Sequence, residues 1–122
     1  MSGGYQPGDE FQCLCIPIRV TKSPSQDPKT GAPILLSGFA IVGGIDQDPS
    51  KTPFNFKDTG IYVTKTTPHG PAMRAGLRPG DRILQCNGHD FTLVTHEKAV
   101  KYIRKYPVLE LLVERENESV NV

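Results

Sequence analysis

A short apolar loop around one glycine is the part of this chain best suited to hold an anion. Residues 36–39, Leu36-Ser37-Gly38-Phe39, form this glycine loop, which leads straight into an extended stretch, Ala40-Ile41-Val42-Gly43. Backbone amides of such a turn can form a concave anion site, and an exposed strand beside it can pair with an extended peptide. The pattern therefore favours a site for the C-terminal carboxylate of a peptide, although an ordinary turn before a strand fits the same residues.

A histidine at the start of a predicted helix is the second candidate. Thr95 is a good helix N-cap, His96 follows it, and the apolar residues Ala99, Val100 and Ile103 recur at helical spacing. A neutral imidazole in this position can accept a hydrogen bond from a hydroxyl group. The same residues also fit a solvent-exposed histidine followed by a stripe that packs into the core.

The residues give little support for catalysis or for a bound metal. Ser37 and His96 with an aspartate would make a hydrolytic triad, but Ser37 lacks the Gly-x-Ser-x-Gly flanks of that nucleophile. The glycines fit no nucleotide-binding motif. Cys13, Cys15 and Cys86 are odd in number and lack zinc-ligand spacing, so we expect free thiols. We predict no enzyme, no cofactor and no metal.

Length and charge narrow the class of partner. The chain has 122 residues, about one domain, and its 14 Lys and Arg against 13 Asp and Glu give a net charge of +1. Such a balance creates no field that would attract nucleic acid or anionic lipid. No apolar run approaches the ~20 residues of a membrane span, and the polar N-terminus lacks the apolar centre of a signal peptide. These features predict a cytoplasmic protein without a membrane span.

The elements that must position the two candidates are short. The predicted strands cover residues 14–20, 39–45, 60–66, 82–86, 90–92 and 108–115, and the predicted helices cover residues 70–76 and 95–105. Few connections are long enough for a parallel crossover. The pattern therefore predicts an α+β fold: a small, mostly antiparallel sheet of five to six strands, or a partly open barrel, capped by two helices.

The remaining segments are predicted to be irregular. Residues 23–33 contain three prolines and a glycine and are expected to form a mobile loop, and residues 46–59 form a second loop. Residues 1–12 and 117–122 are polar and are expected to be flexible tails, which leaves residues 13–116 as the domain.

Several motifs, in order along the chain, resemble those of a PDZ domain. They are Leu36-Ser37-Gly38-Phe39, Gly60-Ile61-Tyr62-Val63, Gly70-Pro71-Ala72, Gly80-Asp81-Arg82-Ile83-Leu84, Asn87-Gly88 and Thr95-His96. The resemblance extends over about residues 13 to 116. It implies a module that binds the C-terminal tails of other proteins by strand addition.

The resemblance assigns a role to each candidate residue. The tail would lie antiparallel to residues 39–43, with its carboxylate on the amides of Ser37, Gly38 and Phe39. His96 would face a Ser or Thr at the third position from the end, which implies Ser/Thr-x-Val/Leu/Ile tails. The last side chain would enter a pocket of Leu36, Phe39, Ile41, Val100 and Ile103, and the groove would also include Ala40, Val42 and Gly43. Pro53 and Phe54 would contact upstream ligand residues, although Phe54 and Phe56 fit equally well as anchors of a proline-bounded loop.

One departure from the family pattern and three alternatives remain. Where the family commonly has Leu before the glycine this chain has Ser37, so we expect a wider pocket or weaker binding. As a single domain it is expected to compete with multi-domain PDZ scaffolds and to be monomeric, with weak self-association through Val122 as one alternative. A structural adaptor with a non-functional groove, and the hydrolase built on Ser37 and His96, are the others.

Overall fold

The computed structural model describes residues 12–48 and 58–117. The predicted tails lie outside these ranges apart from Gln12 and Asn117, as do Pro53, Phe54 and Val122. Eight strands and two helices lie in the described ranges: β1 (Gln12–Thr21), β2 (Ser23–Gln26), β3 (Pro33–Leu36), β4 (Phe39–Gly43), β5 (Ile61–Thr66), α1 (Pro71–Ala75), β6 (Arg82–Cys86), β7 (His89–Asp90), α2 (His96–Lys105) and β8 (Val108–Asn117).

Six of the strands form one antiparallel sheet. Its strand order is β1-β8-β6-β5-β4, and β7 pairs with β6. The predicted antiparallel sheet capped by two helices is therefore confirmed. The outer strands are β1, which carries Pro17, and β4. Proline is tolerated on an edge strand because the missing amide faces no neighbour, and the open edge of β4 leaves backbone groups available for pairing.

Alternating apolar side chains place the core on one face of this sheet. Ile18 and Val20 of β1 lie opposite Leu111 and Leu109 of β8, and all four are buried. In a strand alternate residues share a face, so the charged residues between them point to solvent. Both helices pack on this core, α1 through Ala72 and α2 through Ala99 and Ile103. Cys86 lies in the core and Cys15 is exposed, and both are free thiols.

Helix α1 has the predicted start and end. Pro71 occupies its first turn, and Gly76 caps its C-terminus in the left-handed region at φ 98°. Its last turn is tied to the sheet, because the Arg115 guanidinium donates to the Gly76 carbonyl at 2.9 Å and to the Asp81 carboxylate at 2.6 and 2.8 Å. Asp81 is only 2% exposed, so this pairing neutralises a buried charge.

The prediction of a mobile loop at residues 23–33 is wrong, because β2 and β3 form a separate two-stranded sheet. The Asp27 amide donates to the Ala32 carbonyl at 2.9 Å, and hydrogen-bonded and non-bonded pairs alternate along an antiparallel ladder. Counting from that pair, Pro24 opposite Leu35 and Pro33 opposite Gln26 both fall on non-bonded pairs. Neither proline has to donate an amide, so the ladder forms despite them.

Two strands have bounds that differ from those predicted. The strand expected over residues 39–45 stops at Gly43, where φ is 99° and a Cβ would lie 1.9 Å from the Gly60 carbonyl oxygen. Only glycine fits there, and the chain turns away from the sheet. The strand expected over residues 90–92 is instead His89–Asp90, paired to β6 across the predicted Asn87-Gly88 turn, whose φ values are 50° and 83°.

Candidate functional site

The backbone of the glycine loop is held from one side. The Ser37 carbonyl accepts a hydrogen bond from the Ala72 amide of α1 at 3.0 Å, and the Gly38 carbonyl accepts one from the Thr67 amide at 2.8 Å. In a trans peptide the N–H points opposite to the C=O, and the described chain contains no cis peptide. The N–H groups of Gly38 and Phe39 therefore point away from these partners, toward the open edge of β4.

Glycine is required at the centre of this loop. Gly38 has φ 82°, and a Cβ there would lie 3.1 Å from the Pro71 ring carbon Cδ. A side chain would thus combine an unfavourable backbone conformation with a tight contact to a rigid ring. The absence of a side chain lets the loop rest directly on the first turn of α1.

A cavity of about 360 Å³ lies beside the loop; we name it the loop cavity. Its lining includes six residues that the sequence predicts for the site: Leu36, Ser37, Gly38, Phe39, Ala40 and Ile103. Three cations, Lys22, Lys65 and Arg104, also line it, with Leu35 and Thr67. The loop cavity therefore combines apolar side chains with an excess of positive charge.

Two residues predicted for the pocket do not line the loop cavity. Ile41, like Phe39, is partly buried and packs against the hydrophobic core. Val100 is half-buried and lines a separate depression on α2, together with Glu97 and Lys101. The structure thus brings Leu36 and Phe39 together with Ile103 in the loop cavity, and the assignment of Ile41 and Val100 to the pocket stays a prediction.

Helix α2 runs along the open edge of β4. At one end, the His96 ring lies against the Gly43 carbonyl, and at the other, Ile103 shares the loop cavity with Phe39. The helix and the strand are therefore antiparallel neighbours. The gap between them is a groove that ends at the glycine loop, with Ala40, Ile41 and Val42 along its strand side.

The position of His96 determines its neutral tautomer. Nδ1 lies 2.8 Å from the Gly43 carbonyl oxygen. A carbonyl oxygen can only accept, so Nδ1 carries the proton, and Nε2 of the neutral ring is left as a hydrogen-bond acceptor. No hydrogen bond joins the Ser37 side chain to His96 within the described residues, so the pair is not arranged as a hydrolytic dyad.

Two oxygen atoms cap the N-terminus of α2 and fix His96. The Thr95 hydroxyl accepts from the Lys98 amide at 3.2 Å, as predicted for an N-cap, and the Asp46 carboxylate accepts from the His96 amide at 3.0 Å. The bond from the His96 amide lowers the pKa of Asp46 below its usual value. Sequence reasoning missed Asp46, which reaches the helix only because the chain turns after Gly43.

A lysine holds the other end of α2. Pro107 has no amide to donate to the Ile103 carbonyl, and the Lys22 ammonium group donates to that carbonyl instead. The Lys22 amide also donates to the Pro107 carbonyl at 3.1 Å. Partial burial lowers the pKa of Lys22. Like Lys65 and Arg104, Lys22 gave no signal in the sequence, because pairing between distant segments brings it to the loop cavity.

Two further classes of site are absent from the described part of the chain. Over residues 12–48 and 58–117, no three His, Cys, Asp or Glu side chains approach one another closely enough to hold a metal ion. Neither helix in those ranges is long and apolar enough to cross a bilayer.

The chain is similar to known proteins over most of its length. A family model described as PDZ domain matches residues 35–114. The chain belongs to the PDZ family. This PDZ chain is 52% identical over 117 residues to Tax1-binding protein 3 of Mus musculus, covering 93% of this chain and 90% of that protein. It is 46% identical over 112 residues to the Tax1-binding protein 3 homolog of Caenorhabditis elegans, covering 92% and 90%.

A solved structure and a larger relative extend the comparison. The crystal structure of wild-type TIP-1 superposes with a TM-score of 0.71 and 43% identity, covering 85% of this chain and 89% of that one. Human Erbin is 36% identical over 113 residues, which are 92% of this chain but 7% of Erbin. The PDZ fold predicted from the sequence is confirmed, and the protein is a protein-interaction module of this family.

Proposed function

We propose that this PDZ domain binds C-terminal tails that end in Ser/Thr-x-Val/Leu/Ile, each added as an antiparallel strand to the open edge of β4. The observation that carries the proposal is the direction of the Gly38 and Phe39 amides, which point to that edge beside the loop cavity. Charge-assisted bonds from amides to a carboxylate are stronger than neutral ones. With Ser37, these residues form the proposed carboxylate site.

An apolar last residue fits the loop cavity. Leu36, Phe39 and Ile103 supply apolar walls, and Leu36 is 47% exposed without a ligand. Full burial of a Val or Leu side chain would contribute about 1.5–3 kcal/mol. Because the small side chain of Ser37 lies in its wall, the cavity also leaves room for terminal ligand residues larger than Val. Ser37→Leu should therefore restrict binding to smaller terminal residues.

The third residue from the end is proposed to face His96. Nε2 of the neutral ring can accept the hydroxyl proton of a Ser or Thr, because Nδ1 is occupied by the Gly43 carbonyl. Protonation of the ring removes this acceptor and should weaken such tails. Val100 follows His96 by one turn of α2, so it lies on the same face of the helix and would border this subsite.

Competition with larger proteins is part of the proposal. This chain covers 90% of the mouse relative, so that relative is little longer than one PDZ domain, whereas the match to Erbin is a small part of a long protein. A short domain and a long scaffold with similar grooves would exclude each other from one tail. We propose that this module acts by such occupancy, as a monomer in the cytoplasm, without chemistry.

The test is a titration with a fluorescent decapeptide ending in Thr-Gln-Val, with a free and then an amidated terminus. We expect micromolar binding of the free acid, about 8 kcal/mol, and a loss of at least tenfold on amidation. Equal affinity for both forms would refute the carboxylate site. A C-terminal peptide library without any binder would favour the structural adaptor, and cleavage of the peptide, detected by mass spectrometry, would favour the hydrolase.

A further inference from the structure

The loop cavity carries more positive charge than one carboxylate can neutralise. Lys22, Lys65 and Arg104 line it, and no Asp or Glu does among the described residues. The ammonium group of Lys22 already donates to the Ile103 carbonyl. Lys65 is exposed and forms no ion pair with a carboxylate in the described part of the chain. A ligand with a second negative group would complement this surplus.

The strand register places Lys65 on a definite face of the sheet. Lys65 pairs with Ala40, and the next pair along is Ile41 with Val63, so Thr64 is an extra residue in β5. Paired residues share a face. Val63 is fully buried, so its pair faces the core, and Lys65 with Ala40 faces the opposite side. Without the extra residue, Lys65 would share the face of Val63.

The same register predicts which ligand residue meets Lys65. In a tail antiparallel to β4, the last residue lies beside Phe39, the penultimate one beside Ala40 and the third from the end beside Ile41. Of these three side chains, only the penultimate one shares the face of Ala40 and Lys65; the fourth from the end, beside Val42, shares that face but lies opposite Tyr62. Two strand spacings, roughly 10 Å, separate the ligand strand from β5. The methyl side chain of Ala40 leaves the space between them open for two long side chains.

We propose that Lys65 makes this domain prefer tails whose penultimate residue is Asp or Glu. The inference rests on the proposed function, because it needs the tail to pair with β4. Arg104 does not serve this role, since it projects from α2 and also lines a groove with Pro24 and Ser25 of β2. Lys65 is the cation that enters the loop cavity from the strand side.

Three decapeptides ending in Thr-Glu-Val, Thr-Gln-Val and Thr-Lys-Val test the proposal by fluorescence anisotropy. The proteins are the wild type, Lys65→Met, Lys65→Glu and the control Lys101→Met, which removes a lysine from the separate depression on α2. For the wild type and the control we expect the Glu tail to bind about two- to fivefold more tightly than the Gln tail. The ratio should fall toward one in high salt, because salt screens exposed charges.

The two variants at Lys65 are expected to change the preference among the tails in different ways. Lys65→Met should bind the Glu and Gln tails equally, and Lys65→Glu should prefer the Lys tail. An unchanged ratio in Lys65→Met, or a wild-type ratio of one, would overturn the assignment of Lys65. Binding of the free-acid Gln tail by every protein, lost on amidation, would then leave the proposed function intact. If no free-acid tail binds the wild type, both proposals are overturned.

Discussion

The substitution Gly38→Ala tests the glycine loop most directly. A non-glycine residue at a positive φ costs roughly 1–2 kcal/mol, and overpacking against a well-fixed neighbour costs about 1–3 kcal/mol. Both apply here, because φ is 82° and the new Cβ would lie 3.1 Å from Cδ of Pro71. We expect Gly38→Ala to lower the free energy of unfolding by about 2–5 kcal/mol.

Gly31→Ala is the matched control. Gly31 also has a positive φ, 73°, but a Cβ there would meet nothing within 4 Å. Gly31→Ala should therefore lower the free energy of unfolding by the backbone contribution alone, about 1–2 kcal/mol. The difference between the two variants in urea unfolding measures the contact with Pro71.

Peptide binding by the same variants tests the role of the glycine loop in recognition, apart from its contribution to the stability of the domain. Relief of the contact shifts the loop away from α1 and misdirects the Gly38 amide, and losing one bond to a charged group costs about 1.5–3 kcal/mol. The free-acid tail should thus bind Gly38→Ala at least tenfold more weakly, after correction for the folded fraction, and Gly31→Ala normally. Wild-type affinity in Gly38→Ala would refute the placement of the carboxylate. Equal destabilisation of both variants would refute the steric argument.

Three further predictions concern other contacts. His96→Asn keeps a donor for the Gly43 carbonyl, but its shorter side chain ends one bond short of the position of Nε2 and has no acceptor there. Calorimetry should show about 1 kcal/mol weaker binding of a Thr-Gln-Val tail and no change for a Val-Gln-Val tail; equal losses would contradict this. Arg115→Met leaves the buried Asp81 carboxylate without its ion-pair partner and should lower the free energy of unfolding by about 3 kcal/mol. A loss below about 1 kcal/mol in urea unfolding would show that the burial of Asp81 does not depend on this ion pair. Burial raises the pKa of Tyr62 to about 12 from a usual value of 10.0, so the folded state keeps the phenol neutral while the unfolded chain ionises, and stability should fall as pH rises from 10 to 12. Tyr62→Phe should flatten that dependence, and an identical slope in both proteins would assign it to other groups.

Short-range signals in the sequence predicted much of the fold. Pro71 and Gly76 marked the ends of α1, Thr95 marked the start of α2, and Asn87-Gly88 marked a hairpin turn, because each depends on the backbone preferences of one or two residues. The separate β2–β3 sheet escaped prediction. Whether Pro24 is tolerated depends on its place in the ladder, and the sequence does not contain that register.

The candidate site divides in the same way. Gly38 and His96 carry local signals, a glycine turn and a helix start, and the family resemblance added their geometry. Lys22 and Lys65 carry no such signal. Lys22 lines the loop cavity because it directly follows β1, and Lys65 lines it because one extra residue in β5 changes the face on which Lys65 lies. Long-range register decides both positions.

The attachments at the two ends of α2 have a consequence for the thermodynamics of recognition. The helix is held to the rest of the domain through His96 at its start and through Lys22 at its last turn. A groove with both ends anchored has little freedom left to lose when it is occupied. The entropic cost of association therefore falls mainly on the incoming tail, and rigid tails should gain affinity over flexible ones of the same composition.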